Sequence, residues 1–302
     1  MIEIDDLRKV SGIGEKTIQR IKDTLLKEDK YISEYNPELH LDINNIYQGD
    51  CLELMNGIPD KSIDMVLCDL PYGMTACKWD SVIPFEPLWA QYNRVIKDNG
   101  AIVLFGSEPF SSKLRMSSIE MYKYDWVWEK NKSSNHINAP YQPMKNFENV
   151  MIFGKKATTY SPKGNMCYHP QGVKKMVNPK PQNKQKYKNS ETFHSCPNQK
   201  STMQTMEGYP KAIIRYNVVP RPVHPTQKPV ELIEYLIKTY TSEGETVLDN
   251  CMGSGTTAIA SINTNRNFIG IELESEYCNL AKDRVNKHII ATNMQDSYSQ
   301  LA

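Results

Sequence analysis

The segment that most constrains the fold is ETVLDNCMGSGTTAIASINTNRNFIGIELE, residues 245–274. It reads as a strand, a glycine turn, a helix and a second strand, because two apolar β-branched runs flank a stretch of helical composition. Two strands joined by a helix lie parallel in one sheet, with a right-handed crossover. Open α/β sheets bind their ligands outside the carboxyl ends of the strands. The sequence therefore predicts an α/β protein with a ligand site at the glycine turn.

Apolar runs nearer the N-terminus extend this sheet. Four of them are strand-like in length and β-branched content: residues 63–69, 101–106, 126–130 and 149–155. A helix is predicted between the first two and should stop at Gly100, and another should begin near Pro229. A last helix is expected at residues 275–289. The chain thus contains two α/β halves, at residues 44–155 and 212–292.

A basic insert separates the two halves, at residues 156–211. Residues 155–215 contain twelve Lys or Arg and only two acids, so this stretch carries about +10 although the whole chain carries +1. A run of one sign is typical of contact with nucleic acid or another anion, and a solvated surface is the alternative. Residues 164–209 have no apolar periodicity, so a loop-rich segment is expected.

The composition indicates a cytoplasmic protein with no membrane contact. The chain has seven scattered cysteines, an odd number that is typical of free thiols in a reducing compartment. It has no apolar run that approaches the roughly 18 residues needed to span a bilayer. We therefore expect neither export nor membrane insertion.

A small helical module is predicted at residues 1–30. Apolar residues of the segment 6–26 recur every three or four positions on both sides of the sequence GIG. This resembles a helix-hairpin-helix, in which backbone amides near Gly12 and Gly14 would approach a DNA phosphate. A helical appendage that serves only packing is the alternative.

Three acidic residues follow predicted strands and mark a candidate site. Asp69 and Asp249 each end a hydrophobic strand, and parallel strands would bring both acids to one edge of the sheet. Glu272 ends the next strand, 17 residues beyond Gly255, near the spacing at which a carboxylate accepts hydrogen bonds from ribose hydroxyls. A nucleoside cofactor is therefore predicted, whereas the absence of GKT or GKS disfavours a P-loop NTPase.

Three sequence blocks carry a family resemblance: DLPY at residues 69–72, HPTQKP at 224–229 and LDNCMGSG at 248–255. They are similar to the motifs of S-adenosylmethionine-dependent amino-group DNA methyltransferases, in the order of the β group. The resemblance covers about residues 45–285 and implies a Rossmann-like fold with a mixed, mostly parallel seven-stranded sheet. It makes residues 44–155 the catalytic half, 156–211 the target-recognition insert and 212–292 the cofactor-binding half.

The resemblance makes DLPY a clamp for a base that has left the duplex. The carboxylate of Asp69 and the backbone carbonyl of Leu70 would accept the two N–H bonds of the target amino group, whose lone pair would then become available. Pro71 would fix the backbone, and Tyr72 would stack on the extruded base. Leu70 stands where the family has proline, which leaves the carbonyl in place.

The resemblance also implies a set of cofactor residues. These are Asp249, Gly253, Ser254, Gly255 and Thr256 near the amino-acid portion, Glu272 at the ribose, Asp50 near the adenine, and His224, Thr226, Gln227 and Lys228 at the carboxylate end. A helix cap is the alternative for Asp50, and a packed imidazole for His224. Asn250 and Cys251 stand where the family often has proline and phenylalanine.

Double-stranded DNA is the expected partner, and members of the β group often form homodimers. The predicted DNA contacts are Gly12, Gly14, Lys78, Trp79, Lys174 and Lys175. For the loops at residues 73–83 and 131–146, an ordinary surface loop is the alternative. No metal is assigned, although Cys167, His169, His194 and Cys196 leave a structural zinc site open.

The expected reaction is methylation of adenine N6, because an acid at the first clamp position goes mostly with adenine in this family. Methylation of cytosine N4 is the first alternative, since both bases present the same kind of amino group. A DNA-binding protein on an inactive scaffold, and a methyltransferase of RNA or of protein amides, are the others.

Overall fold

The computed structural model describes residues 34–74, 80–159, 161–181 and 203–292. The strands in these ranges are β1 (Asn45–Gln48), β2 (Ile63–Cys68), β3 (Ile96–Gly106), β4 (Tyr122–Ser134), β5 (Lys145–Phe153), β6 (Lys174–Pro181), β7 (Met203–Glu207), β8 (Ile213–Arg215), β9 (Thr246–Asp249) and β10 (Asn267–Glu272). The α-helices are α1 (Cys51–Leu54), α2 (Phe85–Val95), α3 (Phe110–Ser117), α4 (Val230–Tyr240), α5 (Thr256–Asn263) and α6 (Ser275–Thr292). The segment 6–26, with Gly12 and Gly14, lies outside the described residues.

Eight strands form one twisted sheet in the order β1-β10-β9-β2-β3-β5-β4-β8. All neighbours are parallel except β5, which is antiparallel to both β3 and β4. The Rossmann-like α/β prediction is therefore confirmed, but the expected number of seven strands is wrong. The additional strand is β8, which pairs with residues 127–129 of β4. A strand of three residues is too short to show an alternating pattern in sequence.

The chain changes direction across the sheet between β9 and β2. These two strands are direct parallel neighbours, with Val66 opposite Leu248. The chain runs from β9 through α5 to β10 on one side, and from β2 through α2 to β3 on the other. The crevice between β9 and β2 is thus the topological switch point, where open α/β sheets bind ligands. Asp69 follows β2 and Asp249 ends β9 at the same edge of the sheet, as predicted.

Helices cover both faces of the sheet. Val66 and Cys68 of β2 pack in an apolar cluster with residues of α2, whereas Met65 and Leu67 pack in a second cluster with residues of α4. A third cluster joins α5 and α6. Because β2 is buried on both faces, its sequence is apolar without alternation, as expected for a central parallel strand.

One predicted element boundary is wrong, and the insert contains two strands that were not predicted. The helix expected to reach Gly100 ends at Val95, because Ile96 adopts an extended conformation and is buried in the sheet opposite Ile63. Within the loop-rich insert, β6 and β7 pair antiparallel and are almost entirely exposed. An exposed hairpin has no apolar face to produce a periodic signal.

Within the described ranges, no helix combines the length and the apolar character that crossing a bilayer requires.

Candidate active site

A cavity of about 310 Å³ opens at the carboxyl ends of the central strands, a size typical of small-molecule sites. It brings together most of the residues that the sequence singled out. The predicted residues in its wall are Asp50, Asp69, Pro71, His224, Thr226, Gln227, Lys228, Asp249, Gly253, Ser254, Thr256 and Glu272. Leu70 is buried in the core beside the cavity, Tyr72 contacts Asp69, and Gly255 precedes the first turn of α5.

The glycine turn directs the start of α5 toward the cavity. Gly253 and Gly255 have φ values of +54° and +79°, a left-handed conformation that disfavours any side chain. A Cβ at Gly255 would also lie 3.1 Å from Cβ of Ala281 on α6. At Gly253 a Cβ would face the ring of His224 at 3.6 Å. The glycines therefore allow the backbone itself to form this part of the wall.

Glu272 ties β10 to the glycine turn. One carboxylate oxygen accepts a hydrogen bond from the amide of Gly253 at 2.7 Å, and the other accepts from the amide of Glu274 at 2.9 Å. The side chain is 8% exposed, and burial raises the pKa of its carboxyl group. Each carboxylate oxygen has a second lone pair, so Glu272 can still accept hydrogen bonds from a diol in the cavity.

Asp50 caps helix α1 and lines the cavity at the same time. Its Oδ1 accepts a hydrogen bond from the amide of Leu52 at 2.8 Å. The helix-cap interpretation is therefore correct, and the position in the wall is compatible with the predicted adenine contact.

Asp249 is buried beneath the glycine turn. Its carboxylate accepts hydrogen bonds from the hydroxyl of Thr257 at 2.6 Å and from the amide of Cys251 at 3.1 Å. Burial raises the pKa of Asp249 to about 7, and the two hydrogen bonds oppose that rise. This carboxylate positions the turn that follows β9.

We expect the substitution Asp249→Asn to change stability in a pH-dependent way. Because burial raises the pKa from 3.8 to about 7, the folded protein keeps a proton that the unfolded chain releases in this range. The stability from this group is complete at low pH and is lost as the pH approaches 7. An amide does not titrate, so only the wild type loses this stability as the pH rises. The free energy of unfolding of the variant minus that of the wild type should therefore increase by roughly 1–3 kcal/mol between about pH 5 and pH 8. Urea denaturation at both pH values measures this shift, and a pH-independent difference would contradict it.

The glycine turn is held by contacts of Asn250, although Asn250 and Cys251 depart from the family pattern. The Asn250 side chain accepts a hydrogen bond from the hydroxyl of Tyr92 at 2.6 Å, and its amide lies 3.5 Å from the Cys51 sulfur. Tyr92 belongs to α2 and is fully buried. The Asn250 contact thus joins the glycine turn to the helix on the opposite side of the switch point.

Asp69 is the centre of the predicted clamp. Its Oδ1 accepts a hydrogen bond from the Tyr72 hydroxyl at 2.6 Å, and its Oδ2 is in direct contact with the Lys228 ammonium. Burial raises the pKa of Asp69, whereas Lys228 opposes that rise. The Tyr72 ring stacks on Phe110 with centroids 4.9 Å apart, so a base that stacks on Tyr72 must use its other face.

The turn after the clamp is held by Asp80. Its two carboxylate oxygens accept hydrogen bonds from the amides of Gly73 and Met74, each at 2.9 Å. Gly73 has a φ of +67°, which glycine adopts without strain. This acid, which the sequence analysis did not single out, fixes the backbone immediately beyond Tyr72.

The HPTQKP segment forms another wall of the cavity. Nδ1 of His224 accepts a hydrogen bond from the amide of Thr226 at 3.3 Å, and its ring packs edge-on against Tyr277. Burial lowers the pKa of His224 to about 4, with the charge of Lys228 acting in the same direction, so the ring is neutral near pH 7. The Gln227 side chain accepts a hydrogen bond from the amide of Val223, which braces the segment.

Two charged residues that sequence reasoning missed extend the contact between Asp69 and Lys228. Glu148 of β5 lies with Oε2 at 3.5 Å from Nζ of Lys228, and its Oε1 contacts the Lys130 ammonium of β4. Burial alone would raise the pKa of Glu148, but Lys228 and Lys130 hold it below its ordinary value. The only sequence signal was that Lys130 ends one strand-like run, at residues 126–130, and that Glu148 directly precedes another, at residues 149–155.

The predicted DNA contacts fall partly outside the described residues, as Lys78 and Trp79 do together with Gly12 and Gly14. Lys174 and Lys175 are exposed at the start of β6. Of the possible zinc ligands, His194 and Cys196 also fall outside, while the Cys167 sulfur lies 3.3 Å from Nε2 of His169. In the part of the chain that is described, no group of three or more acidic, histidine or cysteine side chains is arranged to hold a metal ion.

Comparisons with known proteins point to one family. The family model N6_N4_Mtase, described as DNA methylase, matches residues 63–283. The type II methyltransferase M2.MboI of Moraxella bovis is 27% identical over 85% of this chain and 92% of its own length. The DNA adenine methyltransferase YhdJ of Escherichia coli strain K12 is 28% identical, over 80% of this chain and 82% of its own.

Solved structures agree with these relatives. The crystal structure of the M1.HpyAVI-SAM complex has a TM-score of 0.52 and 26% identity, and covers 80% of this chain and 98% of that one. The cytosine-N4-specific PvuII DNA methyltransferase has a TM-score of 0.55, covering 87% of this chain and 93% of that one. At 15% identity this second likeness shows the fold alone.

Proposed function

Because the chain belongs to the N6_N4_Mtase family of DNA methylases, we propose that it transfers a methyl group from S-adenosylmethionine to N6 of adenine in double-stranded DNA. The observation that carries this proposal is the position of Asp69. Its carboxylate lines the same cavity as Glu272 and the glycine turn, so a base amino group at Asp69 and a nucleoside cofactor would meet in one crevice.

The residues of the cavity fit S-adenosylmethionine. Glu272 offers carboxylate oxygens for ribose hydroxyls. Gly253 has no side chain, so the space beside the His224 ring stays open, where a Cβ would otherwise lie 3.6 Å from the ring. The neutral ring of His224 and the start of α5 also line the cavity, and we assign them to the amino-acid portion of the cofactor. The cofactor would supply an electrophilic methyl group on a sulfonium. Binding and orienting it is the role that we assign to these residues.

The clamp residues would prepare the target nitrogen. Its lone pair is delocalised into the base, and hydrogen bonds from its N–H groups to Asp69 and to the carbonyl of Leu70 would favour a more tetrahedral nitrogen. Asp69 follows a buried strand and is held by Tyr72, which in turn is stacked on Phe110. Such a rigid acceptor needs little reorganisation when the base arrives.

Adenine is preferred over cytosine because the first clamp position is an acid. In the family that the chain resembles, an acid at this position goes mostly with adenine and serine mostly with cytosine. The relative YhdJ, which is named a DNA adenine methyltransferase, supports the same choice.

The proposal is tested by product analysis. The protein is incubated with labelled S-adenosylmethionine and duplex DNA of mixed sequence, the DNA is digested, and the labelled nucleoside is identified by mass spectrometry. We expect N6-methyladenine. Label on N4 of cytosine would overturn the choice of base, and label in RNA or protein but not in DNA would overturn the choice of substrate.

The basic insert is proposed to contact DNA phosphates through Lys174 and Lys175, which are exposed on β6. Reversing both charges should weaken DNA binding and reduce the slope of log affinity against log salt by about 2, because fewer counterions are released. The matched control reverses Lys238 and Lys287, which form ion pairs within α4 and α6. Fluorescence anisotropy with labelled duplex at several salt concentrations measures the slope. Equal slopes in both double variants would place the phosphate contacts elsewhere.

A further inference from the structure

Four charged side chains of alternating sign form a row that begins at the clamp: Asp69, Lys228, Glu148 and Lys130. The Lys228 ammonium contacts Oδ2 of Asp69, and the Lys130 ammonium contacts Oε1 of Glu148. The side chains of the two central residues, Lys228 and Glu148, are 9% and 15% exposed. Charges this deep interact strongly, because water screens them little.

One oxygen in the row has only a long contact with its partner. Oε2 of Glu148 is buried, and its contact among the described residues is a long ion pair with Nζ of Lys228, at 3.5 Å. A buried carboxylate oxygen whose hydrogen bond is long or poorly aligned loses part of the free energy that a normal hydrogen bond would supply. A shift of Nζ by less than about 1 Å would bring it to normal hydrogen-bond distance from Oε2. Lys228 therefore has a second acceptor within reach.

Binding of a target amino group at Asp69 would favour the shift of the Lys228 ammonium toward Glu148. Both oxygens of Asp69 already accept one hydrogen bond, from Tyr72 and from Lys228, so a target amino group would share one of these oxygens with a donor that is already there. Tyr72 is fixed by its stacking on Phe110, whereas the ammonium of Lys228 can move to Glu148. While the ammonium stays on Asp69, it also draws electron density from the acceptor that the base amino group needs.

We propose that Glu148 is a positioning residue for methyl transfer: it takes the Lys228 ammonium from Asp69 when the target amino group binds. Lys130, which contacts Oε1, keeps Glu148 charged and oriented for this exchange. The ring of Phe105, 5.1 Å below Nζ, supports the ammonium without competing as an acceptor. This inference rests on the proposed function only in requiring an amino group at Asp69, and it holds for adenine and cytosine alike.

The kinetic test compares Glu148→Gln with a matched control, Glu129→Gln. Glu129 lies on the neighbouring strand β4 and pairs with Arg215. For E148Q we expect the single-turnover rate at saturating cofactor and DNA to fall at least about tenfold, while both dissociation constants stay within twofold of wild type. E129Q should keep the wild-type rate. A wild-type rate in E148Q, or a parallel loss of binding, would overturn the proposal.

A double-mutant cycle shows whether Glu148 acts through Lys228. Once Lys228→Met has removed the ammonium, E148Q should cause less than a twofold further loss. A full additional loss in the K228M background would mean that Glu148 acts independently.

A direct readout separates this inference from the proposed function. In a crystal structure with S-adenosylhomocysteine and a duplex, Nζ of Lys228 should lie nearer to Glu148 Oε2 than to Asp69 Oδ2 when a base amino group occupies the clamp. Nζ still on Asp69 would overturn the inference, even if the product assay finds N6-methyladenine. If the product assay finds no methylated base, the position of Nζ beside a bound amino group still decides it.

Discussion

Asp69→Asn is expected to lower the rate of methyl transfer by about 10²- to 10⁴-fold while leaving cofactor affinity within about threefold. An asparagine keeps the shape of the side chain, so the contact with the Tyr72 hydroxyl can survive and Lys228 keeps Glu148 as a partner. The negative charge is lost, however, and one of the two acceptor oxygens becomes a donor. The amide would then present N–H groups to the target amino group, in place of an oxygen that accepts its hydrogen bond.

Asp64→Asn is the matched control for this experiment. Asp64 lies on the same strand, β2, and is also buried with a lysine partner, Lys97, at 2.6 Å. It accepts a hydrogen bond from the amide of Thr246, at the opposite end of the sheet from the cavity. Loss of a buried carboxylate there should lower stability without a comparable loss of rate. The two variants thus separate the role of charge at the clamp from the general cost of removing a buried acid.

The measurement combines single-turnover kinetics with calorimetric titration of S-adenosylmethionine. Near-normal rates in Asp69→Asn would show that another group accepts the hydrogen bond of the target amino group. A large loss of cofactor affinity would show instead that Asp69 shapes the cofactor part of the cavity. Either result would require a different assignment of the clamp.

The central sheet could be predicted because its signals are local. Residues 245–274 carry a strand, a turn, a helix and a strand in one continuous pattern, and the structure has all four as β9, the glycine turn, α5 and β10. Parallel pairing then brings Asp69 and Asp249 to one edge without any knowledge of the intervening chain. Motifs at strand ends can be placed in this way, because the topology fixes where those ends lie.

Glu148 could not be found by the same reasoning. It belongs to a strand whose apolar residues follow it, and nothing in its neighbourhood shows that Lys228 will be its partner. The contact depends on β5 lying antiparallel beside β3, and on the HPTQKP segment lying over the carboxyl end of β2. Charge pairs between segments far apart in sequence require the packed structure, since spacing does not reveal which side chains meet.

The second large effect is expected for Glu272. Replacing it with alanine should raise the dissociation constant of S-adenosylmethionine by about 10- to 100-fold, which corresponds to the loss of a hydrogen bond to a charged group. Part of this effect is indirect, because the carboxylate also accepts the amide of Gly253 at 2.7 Å and so holds the glycine turn in place. Glu272→Gln keeps one oxygen for that amide but presents a donor as well, so we expect an intermediate loss.

Glu276→Gln provides the control for these two variants. Glu276 is an exposed acid in the first turn of α6, four residues beyond Glu272. Calorimetry should give it a dissociation constant close to that of wild type, while the maximal rate of the Glu272 variants recovers at high cofactor concentration. Recovery at high concentration is the distinctive outcome, because Glu272 contacts neither Asp69 nor the residues that we assign to the base. If the rate of Glu272→Ala stayed low at saturating cofactor, Glu272 would have to support the catalytic geometry itself, through the glycine turn, and not only cofactor affinity.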